Sequence, residues 1–218
     1  MKSILPFLND LKINNSREWL ELNKPVYLQV KQEFVSFIQQ LIQESIKFDP
    51  LLIDTDATKS VFRLNRDIRF SKDKTPYKTN FGASINPGGK KSMIPGYYIH
   101  IEPGNSFLAA GSYMPVSIYL LQIRQEIDYN LNEFKSIVTN KLFINEFGSL
   151  SSEDALKKIP KGYDKENPAA EFLKMKHFIV TKNLSDEQII QPDFYKSISK
   201  SFAAALELNR FLRRVKEI

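Results

Sequence analysis

Between Phe62 and Phe70 polar and apolar residues alternate: Arg63, Asn65, Asp67 and Arg69 fall between Phe62, Leu64, Ile68 and Phe70. A period of two is the pattern of a β-strand with one wet face, so the four polar side chains are predicted to project together. The planar guanidinium fork matches phosphate or carboxylate oxygens in pairs, which makes Arg63 and Arg69 candidate anion ligands. Asp67 could hold those arginines in place or serve as a general base. Arg66 is out of step, on the apolar side, where an unpaired charge is costly. It calls for a buried partner, a bulge or a bound anion.

A second stretch, Tyr97–Glu102, places Tyr98, His100 and Glu102 on one face of a predicted strand, opposite Tyr97, Ile99 and Ile101. If the two wet faces coincide, arginines, a histidine and two carboxylates meet on one sheet. His100 could then exchange a proton near neutral pH, and Asp67, His100 and Glu102 become candidate acid–base groups. The loop Phe70–Asn80 adds Lys72, Lys74 and Lys78, with Ser and Thr donors between them. Its Pro76 and Asp73 suit a defined turn that could close over an anion. A plainer reading stays open: rows of Arg and Asp on a solvated sheet make weak cross-strand ion pairs and discourage aggregation.

Other chemistries find less support. Pro87-Gly88-Gly89-Lys90-Lys91-Ser92 suggests a phosphate-binding loop, but Ser84 stands where that motif needs its first glycine. The histidines are His100 and His177 alone, without ligand spacing, so no metal is expected, and no cofactor motif is present. No Gly-x-Ser-x-Gly elbow occurs. Phe62, Phe70, Tyr77, Phe81, Tyr97 and Tyr98 interleave with the charges; they could stack on bases, although core packing accounts for them more simply.

Charge points to the same region. Lys59–Lys91 holds nine basic residues and two acids, a balance of +7 in a chain of net +6, which leaves −1 for all the rest. Such clustering attracts phosphates, nucleic acid or an acidic protein. The absence of cysteine excludes thiol chemistry and agrees with a reducing, cytoplasmic setting. No run approaches the roughly 18 apolar residues that span a bilayer, so no membrane association is expected.

The elements that must position these residues read as helices, then strands, then helices. Helices are predicted near Ile4–Leu11, after a capping box of Asn15 and Glu18, and from Pro25 along an apolar stripe from Val26 to Ile46. Strands follow at about 62–70, 80–86, 97–102 and 107–113, joined by short Pro/Gly turns that favour antiparallel pairing. The helical period returns with Val116, Leu120, Ile123 and Ile127, and again with Leu131, Phe134 and Val138. A short helix near 169–176, an alternating piece at 177–181 and an amphipathic helix over 194–215 complete the chain. The fold class is α+β: one domain over 1–218, with a small antiparallel sheet packed against helices from both ends of the chain.

Arg63-Leu64-Asn65-Arg66-Asp67-Ile68-Arg69-Phe70-Ser71-Lys72-Asp73-Lys74-Thr75-Pro76-Tyr77-Lys78-Thr79-Asn80 resembles the central signature of the bacterial domain-of-unknown-function family 2461. Asn14–Trp19 with Asn23-Lys24, Tyr98–Gly104, Gly111–Pro115 and Pro160–Tyr163 support the resemblance, which covers nearly the whole chain. It implies one domain and carries no assigned catalytic residue. The expected function is binding of a phosphorylated or otherwise anionic ligand, small molecule or nucleic acid, by Arg63, Asn65, Arg66, Arg69, Lys72, Lys74 and Lys78. The alternatives are an enzyme using Asp67, His100 and Glu102, and a basic docking module for an acidic protein.

Overall fold

The computed structural model describes residues 1–215. Three helices open it: α1 (Ile4–Ile13), α2 (Arg17–Leu22) and the long α3 (Lys24–Ile46), which carries Pro25 in its first turn, where a missing N–H costs nothing. Ser16, rather than Asn15, caps α2, its hydroxyl accepting the Trp19 N–H at 3.1 Å. Val26 faces solvent, and the buried stripe of α3 begins at Val30. After a short 3₁₀ turn (Pro50–Leu52) and α4 (Ala57–Ser60) the chain enters the sheet.

Four antiparallel strands lie in the order β1 (Phe81–Ile85), β2 (Gly96–Ile101), β3 (Ser106–Ser112), β4 (Phe178–Leu184). The first three form a meander. Between β3 and β4 come α5 (Ser117–Tyr129), α6 (Leu131–Val138), α7 (Lys141–Phe147) and α8 (Ala170–Leu173). Alternation sorts the faces. Phe81, Ala83 and Ile85, Tyr97, Ile99 and Ile101, Leu108 and Ala110, and Phe178 and Val180 are buried in the core, into which α3 and the C-terminal helices pack. The opposite face carries two cross-strand rows, Ser84–Tyr98–Ala109–Thr181 and Gly82–His100–Phe107–Asn183.

The α+β class and the strands predicted over 80–86, 97–102, 107–113 and 177–181 match the observed elements within a few residues. The strand predicted over 62–70 is different. Only isolated bridges join Val61 to Ala83 and Asn65 to Tyr77, and after Arg66 the chain turns into an irregular loop. Phe70, predicted to face inward, is 95% exposed. Among the described residues no neighbouring strand receives Ile68 and Phe70, and local polar bonding takes over from alternation.

After β4 comes the short α9 (Asp186–Ile189), and the stretch predicted as one helix over 194–215 forms two, α10 (Phe194–Ala204) and α11 (Leu206–Leu212). Ala205 between α10 and α11 is itself fully buried, so the apolar stripe continues through the break and conceals it. This end is tied to the sheet by a buried network. Arg213 meets Asp49 through two bonds of 2.9 and 2.8 Å, Tyr97 donates to Asp49 at 2.9 Å, and Asn209 donates to the Gly96 carbonyl at 3.1 Å. The low-dielectric surroundings and the Asp49 charge push the Tyr97 phenol well above its ordinary range.

Candidate functional site

The segment leading into β1 folds back on itself as an arm. Phe62 N–H bonds the Gly82 carbonyl at 2.9 Å, Lys78 N–H bonds that of Leu64 at 2.9 Å, and Arg66 N–H bonds that of Pro76 at 2.9 Å. Asn15 fastens the returning limb by accepting the Tyr77 N–H at 3.1 Å and donating to the Tyr77 carbonyl at 3.0 Å, as a strand residue would. With Tyr77 buried, its neighbour Lys78 turns to the other side. The arm thus forms one wall beside the open face of the sheet.

That face and the arm enclose a groove of about 730 Å³. Small residues form its floor, among them Gly82, Ser84, Ala109 and Gly111, together with Tyr98. Phe62, Arg63 and Lys78 come from the arm, and Lys90 and Lys91 from the β1–β2 connection. Glu153 is the one carboxylate among the described lining residues. Lys90 donates to the Val61 carbonyl at 2.8 Å, and both Lys78 and Lys90 place their ammonium 5.6 Å from the Phe62 ring centre. Burial, followed by the neighbouring charges of Arg63 and Lys90, lowers the Lys78 ammonium below its ordinary value. Arg63 and Lys78 form no ion pair among the described residues.

The predicted site residues separate into three groups. Arg63 and Lys78 line the groove. Asn65, Arg66, Asp67, Arg69, Lys72 and Lys74 do not; apart from Asn65, whose backbone pairs with Tyr77, they occupy the tip of the arm. There Arg66 bonds Asp73 and Thr75 and reaches the Ser71 hydroxyl at 3.5 Å, so the partner its position demanded is a local acid. Arg69 grips Asp67 with bonds of 2.9 and 2.7 Å, and Lys74 donates to the Ile68 carbonyl at 3.0 Å. The Arg69 hydrogen bonds hold the Asp67 carboxyl below its ordinary range. No row of arginines shares one strand face, because that strand does not form.

The third group lies on the same open face of the sheet, beside the groove. His100 Nε2 is 3.3 Å from Glu102, and Tyr98 Oη is 3.1 Å from His100 Nδ1. Thr79 donates to Glu102 at 2.8 Å and Asn105 donates at 3.0 Å. Burial pushes His100 below its ordinary value, outweighing the pull of Glu102, and the Lys78 charge acts in the same direction. Burial would raise Glu102, but the hydrogen bonds from Asn105, Thr79 and His100 prevail and hold it low. Burial, with the Glu102 charge behind it, raises the Tyr98 phenol to about 12. His100 and Glu102 do not line the groove; Tyr98 does. His177 has another role, accepting the Met114 N–H at 3.1 Å while stacked on Tyr113.

Sequence reasoning missed Lys90, Lys91, Tyr98 and the glycine floor as parts of one site. Lys90 and Lys91 counted toward the basic segment, yet nothing local places them opposite Lys78. Gly82 carried a signal of its own: a Cβ there would lie 2.7 Å from the Tyr98 hydroxyl, so glycine is what allows that ring to lie across the floor.

Fold and groove together define an α+β protein whose antiparallel sheet is covered by helices on one face and carries a cation-walled groove on the other. The chain belongs to the family described as conserved hypothetical protein (DUF2461), whose model matches residues 3–211. No curated protein and no solved structure matches it.

Proposed function

We propose that the groove binds a small anionic molecule, with Arg63, Lys78 and Lys90 holding its charge. The observation that carries this reading is the convergence of cations at the groove wall, where Asp67 acts on Arg63 through space but neither Arg63 nor Lys78 forms an ion pair among the described residues. Like charges brought together and partly desolvated raise the energy of the empty state, and an anion relieves it. The volume supports a small molecule, since ligand cavities commonly measure about 300–1,000 Å³. The basic loop at the arm tip is a weaker candidate, because Asp67 and Asp73 already engage Arg69 and Arg66.

Titration of the labelled protein with inorganic phosphate, followed by amide NMR shifts, tests the proposal. Shifts are expected at Lys78, Lys90 and the β1 and β2 residues of the floor. Lys78→Ala and Arg63→Ala should each weaken binding about tenfold, the worth of a charge-assisted hydrogen bond. Shifts confined to residues 66–75, or unchanged affinity in both variants, would overturn it.

A further inference from the structure

Hydrogen-bond polarity at the groove floor narrows the ligand further. The Glu102 carboxylate, already accepting from Thr79 and Asn105, can only accept, so the proton between it and His100 belongs to Nε2. A neutral imidazole that donates from Nε2 has a lone pair at Nδ1. Tyr98 Oη, 3.1 Å from Nδ1, therefore spends its single hydrogen on His100. Asn80 Nδ2, 2.9 Å from Nδ1 and 3.1 Å from Nε2, reaches both ring nitrogens at once and so lies over the ring face, which leaves the in-plane lone pair of Nδ1 to Tyr98. What the phenol has left to offer the groove is lone pairs.

From this geometry we infer that Tyr98 selects a phosphate group that still carries a proton, accepting the P–O–H hydrogen while the Arg63, Lys78 and Lys90 cations hold the remaining oxygens. The inference rests on the anion-binding reading of the groove and adds to it a specificity-determining residue and a ligand class. An anion with no hydrogen would set its own lone pairs against those of Tyr98 and lose affinity. Gly82 belongs to the device, since a Cβ there would displace the hydroxyl from His100. His100 and Glu102 act through Tyr98 and are positioning residues. They fix which way its hydrogen points.

Calorimetric or NMR titrations with phosphate and with sulfate at about pH 8 test this. Both are then mainly dianions, but only phosphate retains a proton. The wild-type protein is expected to bind phosphate at least about tenfold more tightly than sulfate, the difference made by one hydrogen bond formed or opposed. Tyr98→Phe should remove the preference by weakening phosphate alone, and Gly82→Ala should do the same. Lys78→Ala, by contrast, should weaken both anions alike. Methyl phosphate, a dianion without a proton at this pH, should bind no better than sulfate. Equal wild-type affinities for phosphate and sulfate, a preference that survives Tyr98→Phe, or methyl phosphate bound as well as phosphate would each overturn the polarity argument while leaving the cation groove standing. Failure of both anions to respond to Lys78→Ala would instead remove the groove reading on which it rests.

Discussion

Arg63 and Arg66 stand three residues apart on the same arm and meet different fates. Arg66 is bound to Asp73 and Thr75 across the loop it helps to close, whereas Arg63 faces the groove with no ion pair among the described residues. The Arg66 pairing leaves a mark on its partner. Hydrogen bonds from Arg66, then from the Thr75 backbone and hydroxyl, lower the Asp73 carboxyl from 3.8 to about 2. A depressed acid contributes to stability above its unfolded value and loses that contribution as pH falls through the folded one. Carboxyl NMR should therefore show Asp73 titrating near pH 2, with the arm loosening below that; a midpoint near the ordinary value would mean the Arg66 contact is not populated. Gly82 allows a second check at this scale. Gly82→Ala should cost about 1–3 kcal/mol by overpacking and should shift the His100 ring nitrogens as the Tyr98 bond breaks. Unchanged ring shifts would show that the phenol and imidazole were never joined.

Among the elements, β2 bears the most. Its one face presents Tyr97 to Asp49 and the core, and its other presents Tyr98 to the groove with His100 bonded behind it, so core and site are linked through a single strand. The Asp49–Arg213 pair, with side chains 2% and 8% exposed, anchors this strand between the end of α3 and the turn after α11. Removing one partner strands the other charge in the interior, and such losses cost about 3–5 kcal/mol. Asp49→Ala is therefore expected to lower the denaturant midpoint steeply without changing residues of the groove. A loss below about 1 kcal/mol would mean that water reaches Arg213 in the variant. The arm is the complementary element: an isolated bridge from Val61 to Ala83, the Lys90 bond to the Val61 carbonyl and the Asn15 bracket hold it against the rest of the molecule, and it carries Arg63 and Lys78.

At the scale of the whole molecule the charge is strongly polarised, with the basic segment divided between the groove wall and the arm tip. Lys78 and Lys90 are half-buried, and partly buried charges are screened less by salt than an open basic surface. Phosphate affinity should therefore fall only modestly between about 50 and 200 mM salt, whereas a protein tracking many nucleic-acid phosphates would lose about 10³–10⁵ over that range. Titration of a random single-stranded oligonucleotide over the same salt series decides between them. Tight binding with that steep loss would move the function from the groove to the arm tip.

Much of the architecture could be read along the chain, because helix stripes and strand alternation are local consequences of side-chain geometry. The apolar spacing of α3 and the shared face of Tyr98, His100 and Glu102 came from period, and β1 and β3 from the Pro/Gly turns that separate the strands. Period also misled at Phe62–Phe70, since alternation records which residues could line a face but not whether a neighbouring strand exists to pair with them. The composition of the basic segment was equally visible; its division was not. Whether an arginine is neutralised depends on which acid folding brings beside it, and Asp73 reaches Arg66 because the loop between them doubles back so that Pro76 and Tyr77 pair with Arg66 and Asn65. The groove is further removed from sequence order: Arg63, Lys78, Lys90 and Tyr98 come from an arm, a loop and a strand. Charge and hydrogen-bond direction act through space, and only the tertiary structure determines those distances.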